Sequence, residues 1–541
     1  MVELNDAVTA PERRAAYVAS GQWDARTLVG EFATHVARAP QDIAVVDQRG
    51  ARRFTWAALD RDSNRFARRL TDAGIAAGDV VAVQLPNWYE AVVADLATFK
   101  IGAVLNPLLP VYRSRELVYN LSLARTRALV TPRDYRGFDF VAMVDSMRAQ
   151  LPVALTHIAI ADPETAPGGL DELLDGAPAA AIDTPLDASR VSTLLFTSGT
   201  EAEPKAVMHT EQTANFAVRT VRGSLDMSGD QTAFVPSPIG HSTGLNLGLR
   251  LALFHGWKLV LQDRWSADDA IALIQGERCT FTSGATTFLR DVVERAAATG
   301  ADVSSLKLFR SGGAPIPPEL VSAAHSCGIT ALRLYGSTEI LCGTINRRDS
   351  PLEKRVNTDG RAYDGVEVMV GESPDAPAPS GDTGEIFVRG ACTSVGFLRD
   401  PERTARAFSP DGWVQTGDLG TLDREGYLTI VGRKKEIIIR GGLNVAPREV
   451  EDLILTIPGV VAAAVVGLPD ARLGEIGCAC VVLEPGARLG LAELVGHLKR
   501  MGLATFKLPE RLEVLAELPM TPTGKVQKNV LVARLSTPSP L

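Results

Sequence analysis

The stretch Thr197-Ser198-Gly199-Thr200-Glu201-Ala202-Glu203-Pro204-Lys205-Ala206 combines small hydroxyl residues, a glycine and a lysine. It follows the apolar run Val191-Ser192-Thr193-Leu194-Leu195-Phe196, which reads as a buried strand. A strand that runs into such residues suits polyphosphate. Backbone N–H groups and hydroxyls can wrap the anion, and the lysine adds a point charge. It is not a Walker loop, because Pro204 replaces the second glycine of Gly-x4-Gly-Lys. On its own the segment reads equally well as a plain connection between two strands.

Five more segments follow: Ser311-Gly312-Gly313-Ala314-Pro315, Tyr335-Gly336-Ser337-Thr338-Glu339, Thr416-Gly417-Asp418, Gly432-Arg433-Lys434-Lys435-Glu436 and Pro522-Thr523-Gly524-Lys525. Each is a weak pattern alone, but the order of all six carries weight. In these motifs the chain resembles the adenylate-forming superfamily of acyl-CoA synthetases, luciferases and peptide-synthetase adenylation domains. The resemblance runs from Phe54-Thr55-Trp56 to Lys525. It implies ATP, Mg²⁺ and CoA as cofactors and a small carboxylic acid as the other substrate.

Activating a carboxylate with ATP brings two anions together and builds charge on the α-phosphate, so cations and donors must be fixed in place. The resemblance assigns them. Thr197, Ser198, Gly199, Thr200 and Lys205 would surround the β- and γ-phosphates. Glu339 would hold Mg²⁺, for which a carboxylate is a suitable hard ligand. Thr338 would touch the α-phosphate, and Tyr335, beside Gly336, would stack on adenine. Gly312, Gly313, Ala314 and Pro315 would wall the adenine and acyl group. Asp418 would accept the ribose hydroxyls with help from Arg433. His241 matches the position beside the substrate carboxylate. Lys525 would bridge that carboxylate and the α-phosphate. Lys435 matches a hinge, and Gly441 or Gly442 would line the thiol channel, where glycine admits close approach.

The phosphate loop departs from the family pattern at Glu201, Ala202 and Ala206. A carboxylate beside polyphosphate is electrostatically unfavourable unless it faces solvent or metal. The leading expectation is an acyl-CoA synthetase acting on a monocarboxylic acid. Two alternatives stay open: an adenylating ligase that loads a separate carrier protein, and a degenerate acyl- or nucleotide-binding protein. The pocket segments, residues 240–245, 282–286 and 312–313, carry small residues and no evident cation. Pro86-Asn87-Trp88-Tyr89-Glu90 and Asn106-Pro107-Leu108-Leu109-Pro110 look like bacterial ligases for medium-chain, alicyclic or aromatic acids.

Positioning these residues requires an α/β scaffold. Residues 57–73 carry apolar residues at helical spacing, residues 90–100 read as a second helix, and residues 80–85 and 102–105 read as strands. This βαβ rhythm implies parallel or mixed sheets. It recurs at residues 257–261 and 306–310. Residues 363–431 break into short strands between Gly, Pro and Asp, a β subdomain in which residues 374–379 read as a surface loop. A compact α+β pattern follows, with a helix opening at Pro447-Arg448-Glu449 and strands at residues 460–466 and 480–483. The expected division is a large N-terminal AMP- and acyl-binding domain, residues 1–434, and a small mobile C-terminal domain, residues 435–541, carrying Lys525.

The 541 residues suffice for two cores, and a net charge of −8 argues against nucleic-acid binding. The longest uncharged apolar stretch, residues 453–469, is divided by Pro458-Gly459 and falls short of the ~20 continuous residues of a membrane span. Six cysteines and seven histidines show neither a disulfide framework nor metal-ligand spacing. Cys478 and Cys480 would share one strand face, about 6.6 Å apart with parallel side chains, which is poor disulfide geometry. These features suggest a reduced, cytoplasmic protein without a structural metal. Whether it forms a homo-oligomer is not legible.

Overall fold

The structure is a computed structural model that describes residues 9–166, 169–182, 184–197, 204–312, 316–441, 443–470, 472–521 and 525–536. The chain is a mixed α/β protein divided into two compact units. The first comprises Met1–Val368 and Val388–Val414, the second Met369–Phe387 and Gln415–Leu541.

Two sheets dominate the first unit. A nine-stranded sheet runs in the order Arg361–Ala362, Thr344–Ile345, Thr330–Tyr335, Leu308–Gly312, Phe281–Gly284, Thr232–Val235, Lys258–Leu261, Ile43–Asp47 and Arg52–Thr55. Its middle strands, from Thr330–Tyr335 to Ile43–Asp47, are parallel. A six-stranded sheet runs Lys205–Thr210, Val191–Thr197, Val104–Pro107, Val80–Val83, Ala128–Pro132 and Thr156–Ile160. Helix Tyr89–Lys100 packs against strands of both sheets, and every residue in it is buried. That explains its sequence, which is apolar nearly all round instead of on one stripe. Its buried Lys100 is matched to Asp60 at 2.7 Å and to the Asn64 side-chain oxygen at 2.7 Å.

The neighbouring helix, Trp56–Asp72, starts where Thr55 accepts a hydrogen bond from the Ala58 N–H at 3.1 Å, a side-chain cap. A second core gathers Phe309, Leu289, Ile274 and Val321 between the nine-stranded sheet and its covering helices.

The second unit centres on two sheets. One orders Ala376–Pro377, Val366–Ser373, Gly384–Gly390, Val414–Leu422 and Leu428–Arg433. The segment expected to be a surface loop, residues 374–379, is exposed but contains the short strand Ala376–Pro377, paired to Val366–Ser373. The chain reverses tightly there and keeps a ladder, with Gly371 as the close-approach position: a Cβ on it would sit 2.3 Å from the Ala376 carbonyl oxygen. The other sheet orders Leu443–Val445, Ile438–Arg440, Gly474–Leu483 and Val460–Asp470, with Arg511–Val514 parallel to Gly474–Leu483. Helices Pro447–Ile454 and Leu491–Arg500 cover one face of it through Val450, Ile454, Leu494 and Leu498. Cys478 and Cys480 are buried and free. Among the described residues no helix is long and apolar enough to cross a membrane.

Candidate active site

Parallel strands deliver their C-terminal ends to one edge, where ligands bind in open α/β sheets. In the nine-stranded sheet that edge collects the ends of Thr232–Val235, Phe281–Gly284, Leu308–Gly312 and Thr330–Tyr335. The expected acyl-binding segments and the segment beginning at Tyr335 leave from these four ends. Gly312 pairs in register with Leu334, one residue before Tyr335. A Cβ at Gly312 would meet the Leu334 side chain at 2.7 Å, and one at Gly336 would meet the Leu341 carbonyl oxygen at 2.5 Å. Gly336, against a backbone oxygen, therefore requires glycine, whereas at Gly312 the Leu334 side chain would have to shift. Tyr335 is buried at its strand end.

The phosphate-loop strands Val191–Thr197 and Lys205–Thr210 form an antiparallel hairpin in which Thr197 and Lys205 are opposite partners. The intervening Ser198, Gly199 and Thr200, and also Glu201 and Ala202, lie outside the described residues. So do Gly313, Ala314, Pro315 and Gly442. The Tyr119 hydroxyl donates to the Pro204 carbonyl at 2.8 Å and fixes the lysine side of the loop.

Lys205 Nζ lies 2.8 Å from Glu339 Oε1 and 4.6 Å from the centre of the Phe397 ring. The Ser337 hydroxyl donates to Glu339 Oε2 at 2.7 Å. Burial pushes the Glu339 carboxyl up, but the Lys205 ammonium and the Ser337 hydroxyl outweigh it and hold the group below the usual range. Glu339 is thus an anion near neutral pH, placed beside the Lys205 ammonium.

His209 was not singled out by the sequence, yet it fixes Thr338. Its Nε2 donates to the Thr338 carbonyl at 2.8 Å, and its Nδ1 lies 3.1 Å from the Thr213 hydroxyl. A carbonyl can only accept, so the ring proton sits on Nε2. Burial pushes the pKa down to about 4, and the ring is neutral. No spacing rule marks a histidine inside the strand Lys205–Thr210; only its contact with the Tyr335–Glu339 motif reveals it.

His241 caps the short helix Ser242–Gly244, its Nδ1 accepting from the Thr243 N–H at 3.3 Å. The chain continues through a π-helical turn, Leu245–Arg250. The loop before His241 is stapled by Asn87. Its side-chain N–H group donates to the carbonyls of Val235, Ser237 and Gln262 at 3.1, 2.9 and 3.2 Å. Its oxygen accepts from the Ile239 N–H at 2.8 Å.

In the second unit, Asp418 and Arg433 are opposite partners on adjacent strands. Arg433 Nε lies 2.9 Å from Asp418 Oδ1. The Asp418 N–H donates to the Thr416 hydroxyl at 3.1 Å, which donates in turn to the Ile386 carbonyl at 2.8 Å. Lys435 lies in the single 3₁₀ turn Lys434–Glu436 between the unit's two sheets. Gly441 turns between strands Ile438–Arg440 and Leu443–Val445 with φ +57°. Lys525 is exposed on a loop closed by two bonds. Its N–H donates to the Thr521 hydroxyl at 3.0 Å, and its carbonyl accepts from the Thr521 N–H at 2.6 Å. Just beyond, half-buried Lys528 pairs with Glu451 at 2.8 Å and Glu436 at 3.1 Å, tying the helix after Lys525 to the turn that holds Lys435.

Comparison with known proteins agrees with this arrangement. The family model for AMP-binding enzymes matches residues 32–398, and that for the AMP-binding enzyme C-terminal domain matches residues 449–525. The medium-chain fatty-acid–CoA ligase of Escherichia coli (strain K12) is 37% identical over 524 residues, covering 96% of this chain and 92% of that one. The 2-hydroxy-7-methoxy-5-methyl-1-naphthoate–CoA ligase of Streptomyces carzinostaticus is 34% identical over 534 residues, covering 96% and 95%. ATP-bound MatB from Rhodopseudomonas palustris superposes with a TM-score of 0.84 at 30% identity, over 94% of this chain and 99% of that one. The chain belongs to the AMP-binding enzyme family, and it is an AMP-forming acyl-CoA ligase that uses ATP and CoA.

Proposed function

We propose that the protein activates a monocarboxylic acid at the C-terminal edge of its nine-stranded sheet, with Lys205 and Glu339 at the phosphate end and His241 at the carboxylate end. The observation that carries this reading is the juxtaposition of two segments far apart in sequence, Lys205 meeting Glu339 and His209 anchoring the adjacent Thr338. Lys205 holds the β- and γ-phosphates with Thr197, Ser198, Gly199 and Thr200. Thr338 donates to the α-phosphate. Tyr335 and Gly336 receive adenine, walled by Gly312, Gly313, Ala314 and Pro315. Asp418 accepts from the ribose hydroxyls, and Arg433 keeps its carboxylate aligned.

The donor set at Glu339, an ionised carboxylate oxygen with a hydroxyl alongside, fits Mg²⁺, a hard cation that favours oxygen. Bound there, Mg²⁺ supplies charge neutralisation on the departing pyrophosphate. Lys525 stabilises the charge that develops between the acid and the α-phosphate as the substrate carboxylate attacks and pyrophosphate leaves. The acyl adenylate then passes its acyl group to the CoA thiol, releasing AMP, with Gly441 and Gly442 lining the approach of the pantetheine. Lys435 is the hinge between residues 1–434 and 435–541 in this scheme. Six free cysteines suit a reducing compartment, which supports a cytoplasmic enzyme.

The substrate relatives name are a medium-chain fatty acid and an oxygenated naphthoate. We read the acid here as medium-chain, alicyclic or aromatic. The test is ATP-dependent release of pyrophosphate and AMP over a panel of such acids. AMP release that requires CoA supports the ligase. Pyrophosphate release without CoA consumption, together with transfer to a phosphopantetheinyl carrier, would overturn CoA as the acceptor.

A further inference from the structure

The strand Lys205–Thr210 is the end strand of the six-stranded sheet, and its outer side is covered by residues 395–398. The Leu398 N–H donates to the Ala206 carbonyl at 2.9 Å, the Met208 N–H to the Gly396 carbonyl at 3.0 Å, and the Val395 N–H to the Met208 carbonyl at 2.9 Å. Phe397 is thereby the antiparallel partner of Val207. Side chains two residues apart on a strand share a face, so Lys205, Val207 and His209 point the same way. Lys205 is then the diagonal neighbour of Phe397, a separation that a long side chain and an aromatic ring can span. The two do meet: Lys205 Nζ lies 4.6 Å from the centre of the Phe397 ring.

The ring is held independently of the lysine. Phe397 is fully buried, its N–H donates to the Thr404 hydroxyl at 2.9 Å, and its ring packs edge-on against Phe408 at 5.5 Å between centres. The covering segment also borders the other partner of Lys205, since the Ser394 N–H donates to the Glu339 carbonyl at 2.7 Å. The ammonium therefore has two fixed neighbours, a carboxylate at 2.8 Å and a ring face. They answer differently to substrate. A carboxylate that neutralises a metal ion has less charge to offer a lysine, and Glu339 is the residue fitted to Mg²⁺. A lysine stem is flexible, so an ammonium that loses its carboxylate partner loses its fixed position unless something else holds it. The ring has no second cation to serve. Its face attracts a cation through the ring quadrupole, the more strongly as water is excluded, and the Lys205 side chain is only 24% exposed.

We propose that Phe397 is a positioning residue for the reaction: its ring face keeps the Lys205 ammonium in place for the β- and γ-phosphates when Glu339 is engaged by metal. The inference rests on the phosphate role given to Lys205 above. It assigns to an apolar side chain, one that touches no substrate, a share of the affinity for ATP.

The test places mono-, di- and trifluorinated phenylalanine at position 397 of the full-length protein by site-specific incorporation. Fluorine is little larger than hydrogen and withdraws electron density from the ring face. The series therefore keeps the shape of a fully buried side chain while the attraction for a cation falls in steps. The readout is the Kd for MgATP, titrated in the absence of acid and CoA. Affinity is expected to fall stepwise with fluorine number, reaching about tenfold for the trifluorinated ring, the scale of a partly desolvated cation–ring contact. Lys205→Met is expected to weaken MgATP binding by about tenfold or more and to make the same fluorine series flat, as a double-mutant cycle requires of a direct contact. A flat series in the protein that retains Lys205, with Lys205→Met still weakened, overturns the inference and leaves the phosphate role of Lys205 standing. A slope that persists in Lys205→Met overturns it as well, assigning the ring to packing alone. Lys205→Met that binds MgATP as tightly as the wild type overturns the phosphate role and this inference together.

Discussion

Glu339 owes its charge to its neighbours, because the Lys205 ammonium and the Ser337 hydroxyl overcome the penalty of burial. Glu339→Gln keeps the shape and a hydrogen-bond acceptor for Lys205 but removes the hard anion. It is expected to lower kcat/KM on the order of 10²-fold and to raise the Mg²⁺ concentration needed for half-maximal pyrophosphate release. Lys525→Ala is expected to lower acyl-adenylate formation by on the order of 10²-fold or more, as for loss of a preorganised charge. Near-normal pyrophosphate release by that variant would refute its role.

His209 gives a pH prediction. Its folded pKa of about 4 lies below the ordinary value near 6.5, so between those values the unfolded chain binds the extra proton. Its contribution to stability is complete above about pH 6.5 and is lost as pH falls toward 4, amounting to about 3 kcal/mol. His209→Gln keeps the donor to Thr338 and cannot titrate. Denaturant unfolding should therefore show the wild type losing stability relative to this variant across that window, and parallel pH curves would contradict the assignment. Lys205 and Glu339 were legible from motif residues. His209 was not, because its role comes from a contact across two sheets and not from any local pattern.

At the scale of elements, the site depends on how loops are fastened to strand ends. Asn87 precedes the buried helix Tyr89–Lys100 and bonds the ends of two parallel strands and the loop leading to His241. Asn87→Ala leaves three carbonyls and one N–H without this partner in a buried place. The expected cost is roughly 2–4 kcal/mol in denaturant unfolding, since unmet buried groups lose their full desolvation energy. Because the loop lies on the acyl side, KM for the acid should rise more than KM for ATP. Equal changes in both would mean that the asparagine serves the fold alone.

The helix Trp56–Asp72 and the strand Val80–Val83 follow from hydrophobic period. The π-helical turn Leu245–Arg250 does not, since its extra residue per turn reflects packing against the sheet and its apolar sequence is compatible with an ordinary helix. Arg310, fully buried with Nη2 donating to the Leu247 carbonyl at 3.0 Å, was equally hidden. An arginine in a strand reads as solvent-facing, and the nearest pocket segment read from sequence begins two residues beyond it. Only the covering turn makes that face interior.

Over the whole molecule the residues proposed for the chemistry are divided. Lys205, Glu339 and His241 belong to the first compact unit, and Asp418, Arg433 and Lys525 to the second. The motifs on either side of Lys435 suggest a boundary there, whereas compactness follows side-chain contacts that a linear pattern does not carry. In the second unit, helix Pro447–Ile454 packs on strand Leu428–Arg433, so residues on both sides of Lys435 share one unit. A hinge at Lys435 must then act through its single 3₁₀ turn, which the Lys528–Glu436 pair ties to the helix after Lys525. Proline at that position fixes φ near −65° and removes the N–H, stiffening the turn without altering any group proposed to touch substrate. If adenylation and thioester formation require different settings of the turn, Lys435→Pro should separate them. Acyl-adenylate formation without CoA should stay within a few-fold of wild type, while decay of preformed acyl adenylate on adding CoA slows by roughly tenfold or more. Single-turnover measurement of each half-reaction decides it. Equal slowing of both would make Lys435 a structural residue of the turn and move the hinge elsewhere.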